Sequence, residues 1–120
     1  MAGSDAVWAA QNGEVSKLRE LQFDAKDKIK GRTLLHIAAD FGQHEVIEYL
    51  VEQKQADVNS IDSNGFSVLL TAIYGDEGQD RYKKCVRYLL SKGADKSGKA
   101  PNGSTYIECA NDEEMRQLLK

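Results

Sequence analysis

The feature that most constrains the fold is an internal repeat with a period near 33 residues. Ser67 begins SVLLTAIY 34 residues after Thr33 begins TLLHIAADFG, and Thr105 begins TYIECA 38 residues after Ser67. Upstream, WAAQNG from Trp8 aligns with IAADFG from Ile37 at an offset of 29 residues. Four copies of one unit therefore begin near residues 4, 33, 67 and 105.

The copies differ in length at their turns, where a repeated helical unit tolerates insertions and deletions. The third copy carries five additional residues at Gly75–Lys84, and the first is about four residues short between Leu21 and Lys30. We therefore expect a single domain over residues 1–120, with units at approximately 1–29, 30–61, 62–99 and 100–120.

Each unit has the hydrophobic spacing of two short helices. Two sets of apolar residues in the second unit recur at helical spacing: Leu34, Leu35, Ala38 and Ala39, then Val46, Ile47, Leu50 and Val51. Gly42 separates the two sets, so we predict one helix before it and a second helix over Glu45–Glu52.

Asn-Gly pairs mark the turns that follow the helix pairs, at Asn64-Gly65 and Asn102-Gly103. This dipeptide readily takes positive φ at both turn positions, which predicts tight hairpin-like turns. The expected fold is all-α, a solenoid of about four helix-turn-helix units with short hairpin-like turn tips.

Four strings in this pattern resemble the ankyrin repeat, whose signature is T-P-L-H-x-A: TLLHIAA, QHEVIEYL, ADVN and SKGAD. Leu34 stands where that family usually has proline. Proline at a first helical position is helpful but not required, so we expect a small loss of stability and no change of fold.

The composition excludes several other classes. Sixteen basic and nineteen acidic residues give a net charge of −3, which disfavours non-specific nucleic-acid binding and mildly favours a basic partner. There is no apolar run of membrane-spanning length and no secretory signal pattern. We expect a cytoplasmic protein, with the nucleus as a second location, whose Cys85 and Cys109 are not disulfide-bonded.

His36 and Asp40 are four residues apart, as a metal-binding or catalytic pair on a helix could be. One histidine gives no complete ligand set, and no nucleophile stands at a diagnostic spacing. The ankyrin resemblance implies instead that the ring of His36 hydrogen-bonds backbone groups that link adjacent units. We therefore expect no metal, no cofactor and no enzyme, with structural roles for His36, Gly42, Gly65 and Gly103.

A stack of such units presents its inner helices and turn tips as a concave face. Large or charged residues that need not be buried there are the predicted partner-binding residues: Trp8, Gln11, Asp40, Phe41, Tyr74, Asp76 and Glu77. Trp8 could instead cap the open end of the stack. The inserted residues around Asp76 could be an added contact, or an enlarged turn whose charges are solvated and pair with Arg81, Lys83, Lys84 and Arg87.

The start VWAAQNG, the string GRTLLHIAADFGQ and LLSKGADKSGKAPNGSTYIE resemble the small myotrophin-like group of ankyrin-repeat proteins. That resemblance implies binding to the heterodimeric actin capping protein and inhibition of its capping of filament ends. The acidic tip expected before the second unit is replaced by Lys30-Gly31-Arg32. Two other functions are compatible with an ankyrin protein, namely inhibition of a protein kinase and binding of a Rel-type transcription factor.

Overall fold

The computed structural model describes residues 2–76 and 78–120, and the helices within them form four consecutive pairs. Their bounds are α1 Ala2–Asn12, α2 Val15–Glu20, α3 Leu34–Asp40, α4 His44–Lys54, α5 Val68–Gly75, α6 Asp80–Ser91, α7 Tyr106–Cys109 and α8 Glu113–Leu118. In the part of the chain that the structure describes, β structure is limited to isolated bridges between the helices. The prediction of an all-helical repeat architecture is confirmed.

The helices lie in two layers. The first helix of each pair contacts the first helix of the next pair, which gives an inner layer of α1, α3, α5 and α7. The second helices contact one another in the same way and form an outer layer of α2, α4, α6 and α8. The molecule is 39 Å long and 26 by 22 Å across, as expected when units add in one direction.

Small residues allow the inner helices to approach closely. Ala9, Ala38 and Ala72 have no exposed surface, and α3 packs between α1 and α5. The outer helix α4 begins one residue before the predicted Glu45 and ends two residues after Glu52. Of the four residues expected to be buried on it, only Val51 remains half-buried.

The repeat that is visible in the sequence coincides with the start of the inner helices. Thr33, Ser67 and Thr105 are the N-cap residues of α3, α5 and α7, and each side-chain hydroxyl accepts a backbone N–H bond. The three N···O distances are 3.3, 3.0 and 3.2 Å. These hydroxyls satisfy amide groups that have no partner within the helix, so the period follows the positions of the caps.

The Asn-Gly turns differ from the prediction of positive φ at both positions. In the tip at Ser63–Gly65 only Gly65 has positive φ, +87°. Asn64 lies within a turn closed by the Gly65 N–H, which donates to the Asp62 carbonyl at 3.0 Å. Asp62 N–H donates to the Phe66 carbonyl at 2.8 Å, which leaves a three-residue hairpin loop. The tip at Gly103, with φ +88°, has the equivalent bond from Ala100 N–H to the Ser104 carbonyl at 2.9 Å.

The two-residue turn lies instead at the first tip, at Lys30-Gly31. Ile29 and Arg32 exchange both backbone hydrogen bonds, at 2.7 and 3.2 Å. Lys30 and Gly31 both have positive φ, +55° and +85°, as a type I′ turn requires. Lysine is an unusual residue in this left-handed conformation.

The two cysteines lie in different layers, Cys85 buried on α6 and Cys109 half-buried on α7. Burial raises the pKa of the Cys85 thiol to about 12, so its reactive thiolate form is scarce at neutral pH.

We therefore expect Cys85 to be protected from thiol reagents in the folded protein. At pH 7.5, an aromatic disulfide reagent should label Cys109 well before Cys85, and both thiols should react in denaturant. Peptide mapping of the labelled sites checks this order. Labelling of Cys85 at the rate of Cys109 in the folded state would contradict the packing of α6.

Across the described residues, no helix combines the length and apolar character that a membrane crossing requires.

Candidate functional site

The inner helices carry three large aromatic side chains that the core leaves exposed. Trp8 on α1 is 52 % exposed, Phe41 at the end of α3 is 40 % exposed, and Tyr74 on α5 is 43 % exposed. Exposed aromatic side chains on successive elements are typical of a surface that a protein partner covers. We call the inner-helix surface that carries these three residues the aromatic face.

Two grooves lie along the aromatic face. The N-terminal groove has a volume of about 370 Å³ and is lined by Val7, Trp8, Gln11, Ile29, Lys30, Arg32 and Ile37. The central groove has a volume of about 240 Å³ and is lined by Arg32, Asp40, Asp62, Asn64, Phe66, Thr71 and Tyr74. Arg32 lines both grooves and so stands at the boundary between them. Phe41 lines neither groove and projects beside Asp40.

The carboxylate of Asp40 is accessible on this face. Its Oδ2 lies 3.5 Å from a guanidinium nitrogen of Arg32, and its side chain is 43 % exposed. The same guanidinium also donates to the His36 carbonyl at 3.3 Å, which holds it above the end of α3. A long, half-exposed ion pair of this kind is weak, so a partner can compete for either charge.

Tyr74 is held by its neighbours although its ring is exposed. The ring packs at a tilt on Phe66, with 5.5 Å between the centroids. Its hydroxyl oxygen accepts a hydrogen bond from the Cys109 Sγ at 3.4 Å. These contacts fix the orientation of an aromatic side chain that borders the central groove, which reduces the entropy lost when a partner binds.

The structure corrects the predicted partner-binding role of Asp76, which lies in the insert after α5. The carboxylate of Asp76 is fully buried, 3.4 Å from the Lys83 ammonium, and it also accepts the Gly78 N–H at 2.9 Å. Lys83 is buried as well and reaches Asp112 of the next unit at 2.9 Å. A buried charge must be paired, so Asp76 joins the third unit to the fourth instead of facing a partner. Glu77 lies outside the described residues.

The Lys83 cluster (Lys83, Asp76 and Asp112) also corrects the view of the basic residues on α6 as uniformly solvated. The hydrogen bond that Lys83 donates to Asp112 raises the pKa of Lys83, although burial opposes that shift. Two hydrogen bonds lower the pKa of Asp112: the larger effect comes from the bond that it accepts from the Met115 N–H, and the smaller from the bond with Lys83. The neighbouring Lys84 is exposed, and its Nζ lies 3.8 Å from Asp80 Oδ2, as expected for the predicted pairing of solvated charges.

His36 lies at the third position of α3 and completes a capping box with Thr33. Its Nε2 is 2.8 Å from the Phe66 carbonyl of the next unit, so Nε2 carries the hydrogen and donates. Its Nδ1 lies 2.7 Å from the Thr33 hydroxyl and accepts the Thr33 N–H at 3.4 Å. Both ring nitrogens are therefore used within the fold. Among the described residues, no three His, Cys, Asp or Glu side chains are grouped to hold a metal ion.

His36 makes stability depend on pH. Burial lowers its pKa below the ordinary value of 6.5, so the unfolded chain binds more protons once the pH falls below about 6.5. The stability that neutral His36 contributes to the folded state is fully present above pH 6.5, and it is lost as the pH falls through the folded-state pKa of His36. We expect urea midpoints to fall between pH 7.5 and 5.5 in the parent.

The variant His36→Gln retains a donor and an acceptor but does not titrate, so its midpoint should change less over the same range. Equal slopes for parent and variant would show that His36 does not titrate on unfolding.

The sequence did not predict a series of side chains that hold the ends of the inner helices together. The second, third and fourth units each donate one bond to the last turn of the preceding inner helix or to the residue after it. The donors and carbonyl acceptors are Gln43 Nε2 to Gln11 at 2.8 Å, Tyr82 OH to Asp40 at 2.9 Å and Asn111 Nδ2 to Asp76 at 2.6 Å. The three donors are different residue types, so these bonds leave no recurring motif in the sequence.

The glycines expected to have structural roles lie at turns. Gly42 follows α3 with φ +68°, and an added Cβ there would lie 2.9 Å from Arg81 Cγ. Gly65 and Gly103 occupy the positive-φ positions of the hairpin tips described above. Lys30 and Arg32, which the sequence did not assign to the site, border the N-terminal groove.

Known proteins that are similar to this chain include several that are described as containing ankyrin repeats. Residues 6–100 match the family described as ankyrin repeats, in three copies. The chain is 30% identical over 115 residues to alpha-latrocrustotoxin-Lt1a of Latrodectus tredecimguttatus, which covers 96% of this chain and 8% of the toxin. It is 34% identical to human ankyrin repeat domain-containing protein 53 over 93 residues, 78% of this chain and 17% of that protein.

A solved structure described as EF0377, an ankyrin repeat protein, superposes with a TM-score of 0.82 at 25% identity. The superposition covers 95% of this chain and 61% of the other. The chain thus spans less than a fifth of the two relatives above and about three fifths of the solved chain.

Proposed function

Because the chain belongs to the ankyrin-repeat family, we propose that it is a non-enzymatic module that binds the actin capping protein heterodimer. By covering the actin-contacting surface of that heterodimer, it would inhibit capping of filament barbed ends. Ankyrin repeats generally mediate protein–protein interaction, and the proposal adds the partner and the consequence.

The observation that carries the proposal is the aromatic face with a half-exposed carboxylate at its centre. Trp8, Phe41 and Tyr74 are exposed on consecutive inner helices, and Asp40 is accessible between Arg32 and Phe41. Aromatic anchors supply much of the binding energy at interfaces, and a carboxylate would meet the basic surface of capping protein. The resemblance of the start, middle and end of the chain to myotrophin-like proteins supports the choice of partner.

Two other partners, a cyclin-dependent kinase and a Rel-type transcription factor, would use a similar face. The test is gel filtration of the purified chain mixed in turn with purified capping protein, kinase and Rel dimer. A complex with capping protein at one-to-one stoichiometry supports the proposal. Co-elution with the kinase or Rel dimer, without a complex with capping protein, would replace it.

We expect Phe41→Ala to weaken capping-protein binding by about 1–2 kcal/mol, a typical loss for an aromatic contact outside the centre of an interface. Because the ring is 40 % exposed and lines neither groove, the melting midpoint should move little. Isothermal titration together with thermal melting measures both quantities. Unchanged affinity would remove Phe41 from the contact surface, and a large loss of stability would show that its ring packs internally.

A further inference from the structure

The charge of the aromatic face reverses at its N-terminal end. Asp40 borders the central groove, whereas Lys30 and Arg32 border the N-terminal groove, which none of the described acidic side chains lines. Within the described residues, Arg32 pairs only at 3.5 Å with Asp40, and no carboxylate lies within ion-pair distance of Lys30. This end of the face therefore presents a free ammonium and a weakly paired guanidinium.

The backbone of Lys30 adopts an unfavourable conformation beside this groove. Its φ of +55° is a conformation that glycine or asparagine adopts at lower cost, and its neighbour Gly31 already provides the other left-handed position. Non-glycine residues in unfavourable backbone conformations concentrate at functional sites. The lysine ammonium is thus placed at the groove at the expense of the turn.

The groove beneath these cations has an apolar lining. Trp8 is 52 % exposed, and Val7 and Ile29 are half-buried, so apolar surface is available beside the two charges. The volume of about 370 Å³ is sufficient for one large side chain and part of its backbone. An occupant that covers this surface gains apolar burial, and negative charge on it would in addition complement Lys30 and Arg32.

We propose that the N-terminal groove binds a segment of a partner protein in which an acidic side chain lies next to a large apolar one. The carboxylate is held by Lys30 and Arg32, and the apolar side chain packs on Trp8. The inference rests on the proposed function only in that the aromatic face is the binding face. It adds that the partner presents opposite charges along this face, basic toward Asp40 and acidic toward Lys30.

The test is selection of a random twelve-residue peptide library, displayed on phage, against the immobilised chain. Selected peptides should place Asp or Glu within two residues of Leu, Ile, Phe or Trp. A synthetic peptide with the selected sequence should bind Lys30→Glu at least tenfold more weakly than the parent. Lys26→Glu makes the same charge change on the exposed preceding loop, outside the groove lining, and should bind within about threefold of the parent.

Lys30→Asn separates binding from folding. Asparagine tolerates the left-handed conformation, so its melting midpoint should equal or exceed that of the parent, whereas its peptide affinity should fall. Unchanged peptide affinity in a folded Lys30→Asn protein would show that the Lys30 ammonium takes no part in binding and would overturn the inference.

Selection of basic or acid-free peptides would overturn the inference, and so would equal losses in Lys30→Glu and Lys26→Glu. Dimerisation of the parent that Lys30→Glu abolishes would identify a second copy as the occupant and would also overturn it. Capping protein is absent from this assay, so failure here leaves the choice of capping protein untouched. Failure of capping-protein binding likewise leaves the peptide result standing.

Discussion

Lys83→Met should lower the free energy of unfolding by about 3–5 kcal/mol, because it leaves the fully buried carboxylate of Asp76 without its cation. The substitution also removes the 2.9 Å bond to Asp112, which joins the third and fourth units. Urea denaturation followed by circular dichroism measures the change. Lys84→Met is the matched control, since Lys84 is the next residue, is exposed, and should lose at most about 0.5 kcal/mol.

A second substitution distinguishes an unpaired charge from lost packing. Asp76→Asn retains an oxygen to accept the Gly78 N–H but removes the negative charge. In the Lys83→Met background it should recover part of the lost stability, because a buried amide costs less than a buried carboxylate. If the two substitutions instead add, the loss in Lys83→Met comes from packing and the account of the Lys83 cluster is wrong.

If the proposed function holds, Asp40→Lys should weaken binding to capping protein about a hundredfold, because it would place a positive charge against the basic surface of capping protein. The side chain is 43 % exposed and its ion pair with Arg32 is long, so the folded state should tolerate the change. Equilibrium titration with labelled capping protein measures the affinity. Glu45→Lys makes the same charge change on the exposed surface of outer helix α4 and should bind as the parent does.

Asp40→Asn supplies the neutral intermediate and should lose less affinity than Asp40→Lys. A folded Asp40→Lys protein with parental affinity would exclude Asp40 from the contact surface. An equal loss in Glu45→Lys would show that overall charge, and not the aromatic face, governs binding.

The fold could be predicted because the repeat in the sequence places the same kinds of side chain at the same positions of successive helices. Thr33, Ser67 and Thr105 cap three inner helices, and the alanines between those helices recur at the same points. Each of these signals acts within one unit or between neighbouring units, so the spacing in the sequence carries over directly into the structure.

The Lys83 cluster could not be predicted in the same way. Asp76 lies in an acidic, glycine-containing segment and Lys83 in a basic helix, a pattern that normally indicates solvated charges. Their burial depends on Asp112 and Asn111, which belong to the next unit and approach only in the stack. A contact between units of this kind leaves no periodic signal.

The turn tips show a similar limit. Asn64-Gly65 indicated two positive φ angles, but the Asp62 carboxylate accepts the Asn64 and Phe66 N–H groups, both at 2.9 Å, and stabilises a longer loop. Lys30 carries no sequence signal for a left-handed residue. The paired bonds between Ile29 and Arg32 impose that conformation, so its cost became evident only from the backbone.

The most direct test of the proposed function is barbed-end elongation of actin in the presence of capping protein. Capping protein alone should stop elongation, and adding the parent chain should restore it in proportion to the chain bound. Asp40→Lys should fail to restore growth at the same concentration, while Glu45→Lys should restore it as the parent does. If the folded parent chain never relieves capping, even at concentrations far above those of capping protein, sequestration of capping protein is not its function.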